Sequence, residues 1–214
     1  MLAYFRQNFA SYFRANLVAY FFTILILIIG VVVGALAVKT LPAEQKTELI
    51  SYLRIFFNGL IQNSNGIGDM SLALGTVLFN NAKTIALMWI LGFTIVGIPF
   101  VLFILFIRGF IIGFTVGFLV NEYIMKGFLF ALVSVLPHNF FAVPAILVTS
   151  VSATTFSLML VKRKTHIKSN LLYESLAYSF LCALMLLLMI IAALVEVYIS
   201  PVFMKLVAGL LVKG

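Results

Sequence analysis

Pro137-His138-Asn139, followed by Pro144, is the stretch of this chain best equipped for chemistry. A proline removes a backbone donor and frees a carbonyl one turn upstream, so nearby polar groups are expected to re-satisfy the backbone. His138 and Asn139 stand where they can do so. An ionisable side chain inside an apolar run is also a functional hypothesis by default. As a metal ligand a lone histidine falls short, because zinc takes three or four ligands. His166 lies in a basic stretch and reads as solvated. Glu122, Glu174 and Glu196 each border an apolar run, where a carboxylate avoids lipid, and no two are paired by spacing for acid–base work. Cys182 is the only cysteine, which excludes an intrachain disulfide or a CxxC metal site and leaves a small packed hydrophobe. GxSxG, HExxH, Walker-type and GxGxxG patterns are absent, and Gly66-Ile67-Gly68 is a turn signal only. The expectation is a non-enzyme with no cofactor and no metal.

The residues around these positions settle the solvent. Of 214 residues 64% are hydrophobic and 9% charged, with a mean hydropathy of +1.22. A soluble domain carries about 25% charged residues, so this chain lacks the polar surface to face water on all sides. The net charge of +8 would suggest nucleic acid in a soluble protein, but the bases flank apolar runs, where they meet lipid headgroups. Nucleic acid is therefore not an expected partner; the lipid bilayer is.

A bilayer core about 30 Å thick needs about 20 helical residues. Ala15 to Val38 is a charge-free run of 24 residues. Ala35-Leu36-Ala37 resembles a signal cleavage site, yet signal h-regions run only about 7–15 residues, so the run reads as an uncleaved anchor. After Pro42, which suits a first helical turn, Leu49, Leu53, Phe56, Phe57 and Leu60 recur at helical spacing among polar residues. That predicts an amphipathic helix on the membrane or against the spans. Met70 to Phe79 is only ten residues long and reads as interfacial or re-entrant. Thr84 to Ile107 is a second 24-residue charge-free run, in which Pro99 predicts a kink. Gly109 to Val161 fits two spans with a turn near Glu122–Lys126, the second broken by Pro137 and Pro144. Ser175 to Val195 is the last span. The predicted fold is an all-α polytopic membrane bundle, residues 1–214 in one domain. Its five or so spans lie near 15–38, 84–107, 109–125, 137–161 and 175–195, with an extracytoplasmic segment at 39–83.

Gly109, Gly113 and Gly117 recur every fourth residue, and Gly30 with Gly34 forms a shorter case. Such faces let backbones approach in lipid, where no hydrophobic drive brings helices together. Packing within the chain or between copies in a homo-oligomer is the expected use. Lys162 to Lys168 packs four bases into seven residues. The positive-inside rule then puts that run, Arg108 and the N-terminus in the cytoplasm, and the C-terminus outside.

In its motifs the chain resembles the stage II sporulation protein M family of bacterial membrane proteins. The resemblance is carried by Phe79-Asn80-Asn81-Ala82-Lys83, Leu91-Gly92, Gly97-Ile98-Pro99, Arg108-Gly109 and Ile112-Gly113-Phe114-Thr115-Val116-Gly117-Phe118. Val135-Leu136-Pro137-His138-Asn139 and Val143-Pro144-Ala145 complete it. Broader relatives have glycine and glutamate where this chain has Asn139 and Ala142, so chemistry needing that glutamate is not carried over. The resemblance implies a non-enzymatic multi-pass protein of the septal, engulfing mother-cell membrane. Its implied partners are two membrane-anchored peptidoglycan hydrolases, a lytic transglycosylase of the stage II sporulation protein D type and an amidase/endopeptidase of the protein P type.

Two readings follow. A scaffold would dock the hydrolases through the stripe of Leu49, Leu53, Phe56 and Leu60 or through the glycine-lined spans. A transporter or channel would use the interruptions at Pro99, Pro137 and Pro144, with His138 as the polar handle.

Overall fold

In lipid every backbone N–H and C=O must be satisfied within its own segment, and this chain meets that demand with helices throughout. The computed structural model describes residues 16–62, 67–163 and 171–212, and no strand occurs among them. Helix α1 spans Leu17–Ala37 and ends in a 3-10 turn at Val38–Thr40. Helix α2 spans Ala43–Gln62, opened by Pro42, whose carbonyl accepts the Lys46 N–H at 3.1 Å. Helices α3 (Ile67–Gly92) and α4 (Gly97–Arg163) follow. Helix α5 (Leu171–Leu194) runs through a π-helical turn at Val195–Ile199 into α6 (Ser200–Val212). Pro201 removes the donor that an α-turn over Val197 would need, and the chain takes the wider turn there.

Among the described residues four stretches are long and apolar enough to cross a membrane: Leu17–Thr40, Leu72–Gly92, Gly97–Val161 and Leu171–Lys205. The third is broken at Ile124, whose φ of 47° is the one non-helical point inside α4. The break falls within the Glu122–Lys126 stretch expected to turn. It is tight, since a Cβ on Gly127 would sit 2.6 Å from the Leu119 carbonyl carbon. Outward faces are apolar: Phe21, Leu25, Ile28, Val32 and Leu36 of α1 are exposed, as are Leu172, Leu176, Phe180, Leu184 and Leu187 of α5. Such faces suit lipid and not water.

Several expected boundaries move. Thr84–Ile107 is not one helix. Helix α3 ends at Gly92, and the chain turns over Phe93–Val96 before α4 begins at Gly97. Pro99 therefore sits in the first turn of α4, where its missing N–H falls among donors that have no intrahelical acceptor, and it starts a helix instead of kinking one. Met70–Phe79 is not a separate short segment but part of α3, which continues through Asn80, Asn81 and Lys83. The 109–125 span begins twelve residues earlier, at Gly97. Pro137 and Pro144 do not break the helix after Ile124, which passes through both without leaving helical angles. Of the turn signalled by Gly66-Ile67-Gly68, Ile67 and Gly68 are helical and Gly66 lies outside the described residues.

The Gly92–Gly97 turn is clamped by aromatic packing. Tyr178 stacks on Phe156 at 4.7 Å, both meet Phe93 edge-on, and the Tyr178 hydroxyl lies 3.2 and 3.0 Å from the Met88 and Trp89 carbonyls. Ser157 donates to the Thr94 carbonyl at 2.8 Å. Losing the phenolic bond in Tyr178→Phe is expected to lower stability by about 1 kcal/mol, the net worth of such a bond, read as a lower thermal midpoint in detergent.

Candidate functional site

The site is built on a glycine seam. Gly30 and Gly34 of α1 face Phe106, Gly109, Phe110 and Phe114 of α4, while Gly109, Gly113 and Gly117 face Leu27, Val31 and Ala35. A Cβ on Gly113 would lie 2.6 Å from the Val31 carbonyl carbon, and one on Gly117 3.3 Å from the Ala35 Cβ. Both partner lists rise together along the chain, so α1 and residues 97–123 are parallel, with backbones in contact. Beside this glycine stripe runs a ladder of Phe106, Phe110, Phe114 and Phe118, with neighbouring ring centroids 6.5, 6.0 and 6.2 Å apart.

The seam fixes residues 97–123, and through them Arg108. Eleven residues separate Arg108 from Gly97 and sixteen separate it from Ile124, about 16 Å and 24 Å along the axis at 1.5 Å per residue. Arg108 is thus no flank residue marking the cytoplasmic face; it sits mid-helix. Its Nη2 donates to Asn81 Oδ1 of α3 at 3.2 Å, and Asn81 Nδ2 donates to the Met189 carbonyl of α5 at 3.4 Å. Asn81 is 7% exposed. Glu196, in the π-helical turn, lies within electrostatic reach of both Arg108 and His138. Four separate chain segments thus bring one asparagine, one guanidinium, one carboxylate and one imidazole into a single polar centre. Spacing alone missed Asn81, Arg108 and Glu196. The signal was present for Arg108: it is the only charge among the 38 residues from Thr84 to Asn121.

His138 sits on the helix after the break, its Nδ1 buried without a well-formed hydrogen bond and the Ser134 backbone beside the ring. Asn139 Nδ2 donates to the Val135 carbonyl at 2.8 Å, a bond that reinforces the helix between the two prolines. His138 also lines a cavity of about 460 Å³. Leu49, Tyr52 and Leu53 of α2 form one wall, Phe114, Phe118 and Leu119 a second, and Phe130 with Val135 a third. Leu49 and Leu53 therefore turn towards the chain's own bundle, and Leu53 packs on the buried cluster of Leu119, Phe130 and Ala131. The side chains of Phe56 and Leu60 lie outside the described residues, as do Lys164 to Asn170 with His166. Among the described residues no three His, Cys, Asp or Glu side chains converge as a metal site.

The cavity has few polar groups to hold water, which needs two to four partners. Truncation in Leu53→Ala is expected to loosen α2 by about 2 kcal/mol. Backbone amides of residues 43–62 would then exchange hydrogen faster than in the parent protein, while those of α1 would not.

Residues 23–201 match the family model described as SpoIIM, Stage II sporulation protein M. No curated protein and no solved structure matches the chain significantly.

Proposed function

Because the chain belongs to the stage II sporulation protein M family, we propose that it is a non-enzymatic membrane scaffold that positions peptidoglycan hydrolases during septal thinning and engulfment of the forespore. Family membership implies a role in sporulation, and the long apolar helices suit a bilayer. In this reading the membrane is crossed five times, by α1, α3, the two halves of α4, and α5. Lys162 to Lys168 faces the cytoplasm by the positive-inside rule, which puts α2 and the Ile124 turn outside, where the hydrolases work.

The observation that carries the reading is the second face of α2. Leu53 packs inward, but Ile55 is 68% exposed and Tyr52, at the cavity rim, 61% exposed. Large apolar side chains on an otherwise polar helix are what a docking surface requires. The partner contact is thereby assigned to Tyr52 and Ile55 instead of the Leu49–Leu53 stripe. The test is co-purification of the lytic transglycosylase and the amidase/endopeptidase from sporulating cells. Tyr52→Ala with Ile55→Asp should lower recovery of both hydrolases without lowering the amount of this protein in the membrane. Equal recovery from parent and variant would remove α2 as the dock, and recovery of neither hydrolase with the parent would remove the scaffold.

The half-buried Arg108, Glu196 and His138 support a second reading, transport of an ion or small solute, since ionisable groups inside a membrane bundle commonly mark such paths. Flux through the purified protein in liposomes, lost in His138→Ala, would put this reading first.

A further inference from the structure

We propose that the cavity between α2, the two halves of α4 and Met204 of α6 is a binding site for one acyl chain of a bilayer phospholipid. The walls are hydrocarbon and aromatic: Phe114, Phe118, Leu119 and Phe130 leave no lattice of polar groups for water. The volume, about 460 Å³, lies in the range of roughly 300–1,000 Å³ typical of small-ligand pockets. A partner helix, about 10–12 Å across with its side chains, is too thick to enter it, whereas a single alkyl chain is slender and flexible enough to follow the walls. The surrounding solvent supplies such chains at high concentration. The site does not rest on the scaffold reading, because it requires only the cavity and the bilayer.

The test uses the full chain in vesicles of phosphatidylethanolamine and phosphatidylglycerol, doped with a phosphatidylglycerol that carries a diazirine on one acyl chain. After illumination, adducts are mapped by mass spectrometry. Exposed Phe103 and Phe180, at 58% and 73% exposure, report ordinary contact with surrounding lipid. Adducts on Phe118, Leu119 and Phe130 should exceed those on Phe103 and Phe180 several-fold. Val135→Trp, which fills the cavity, should abolish the excess and leave Phe103 and Phe180 unchanged. Wall adducts no more frequent than those on Phe103 and Phe180 in the parent protein would overturn the proposal, and this comparison needs no variant to fold. Cross-links from the walls to another polypeptide instead of lipid would overturn it as well, as would an excess unchanged in Val135→Trp.

Discussion

Gly113→Leu is expected to prevent the bundle from forming. The substituted side chain would start 2.6 and 2.7 Å from the Val31 carbonyl carbon and Cα, atoms of a backbone and not the yielding end of a side chain. Overpacking a core by added methylenes commonly costs about 1–3 kcal/mol when neighbours can shift. Here the neighbour is a whole helix, held along its length by Gly30, Gly34 and Gly109 as well, so the cost is expected to exceed about 3 kcal/mol. Lipid offers no hydrophobic drive to hold the pair together once close packing is lost. Gly75→Leu is the matched control: a Cβ there meets nothing within 4 Å, and replacing glycine in a helix gains about 0.5–1 kcal/mol. Size-exclusion profiles and thermal midpoints in detergent should show Gly75→Leu like the parent protein and Gly113→Leu aggregated or unfolded. A monodisperse Gly113→Leu with an unchanged midpoint would remove the seam as the organising contact.

Arg108→Leu should have the next largest effect. Arg108 is bonded to Asn81, which in turn holds the Met189 carbonyl, and Glu196 faces the same centre. Removing the guanidinium leaves a carboxylate near the bundle interior without its counter-charge and breaks the α3–α4 bond. Losing a hydrogen bond made by a charged group costs about 1.5–3 kcal/mol. Glu196→Gln in the same chain removes the stranded charge, so the double variant should recover a substantial part of the loss. If the two effects simply add, Arg108 and Glu196 are not coupled and the polar centre is two unrelated sites. Urea or thermal unfolding of the four proteins in one detergent reads this cycle.

The first helix, the amphipathic helix and the glycine faces are legible from spacing because each depends on local period and residue size. Helix α1 needs only a charge-free run, and Leu49 and Leu53 need only a shared face. The breaks were less legible, and the reason is physical. Reading a charge as the end of a span assumes that it must reach water, but Arg108 finds Asn81 and Glu196 inside the bundle. Placing a boundary at Arg108 merged the end of α3 with the start of α4 and turned Pro99 into a kink, when it begins a helix. Asn80, Asn81 and Lys83 likewise look like a polar interruption, although Asn81 is buried against Met189 and the exposed Lys83 can extend its stem along the helix. Pro137 and Pro144 suggest breaks by their own chemistry, but the helix keeps helical angles through both. Helices in lipid tolerate proline where the surrounding bundle re-satisfies the freed backbone groups. The polar centre depends on tertiary proximity between residues up to 115 positions apart, Asn81 to Glu196, which no local period reports.

The parallel α1–α4 seam is tested most directly by cross-linking Ala35→Cys with Gly117→Cys in a Cys182→Ser background. A Cβ at Gly117 lies 3.3 Å from the Ala35 Cβ, close to the roughly 3.5–4.5 Å at which disulfides form. In membranes under mild oxidation the 35–117 pair should close within one chain, found as a linked peptide on mass spectrometry and reversed by reductant. A Leu17→Cys/Gly117→Cys pair, at opposite ends of a parallel arrangement, should stay open. Closure of 17–117 with 35–117 left reduced would make the two helices antiparallel and contradict the bundle described here.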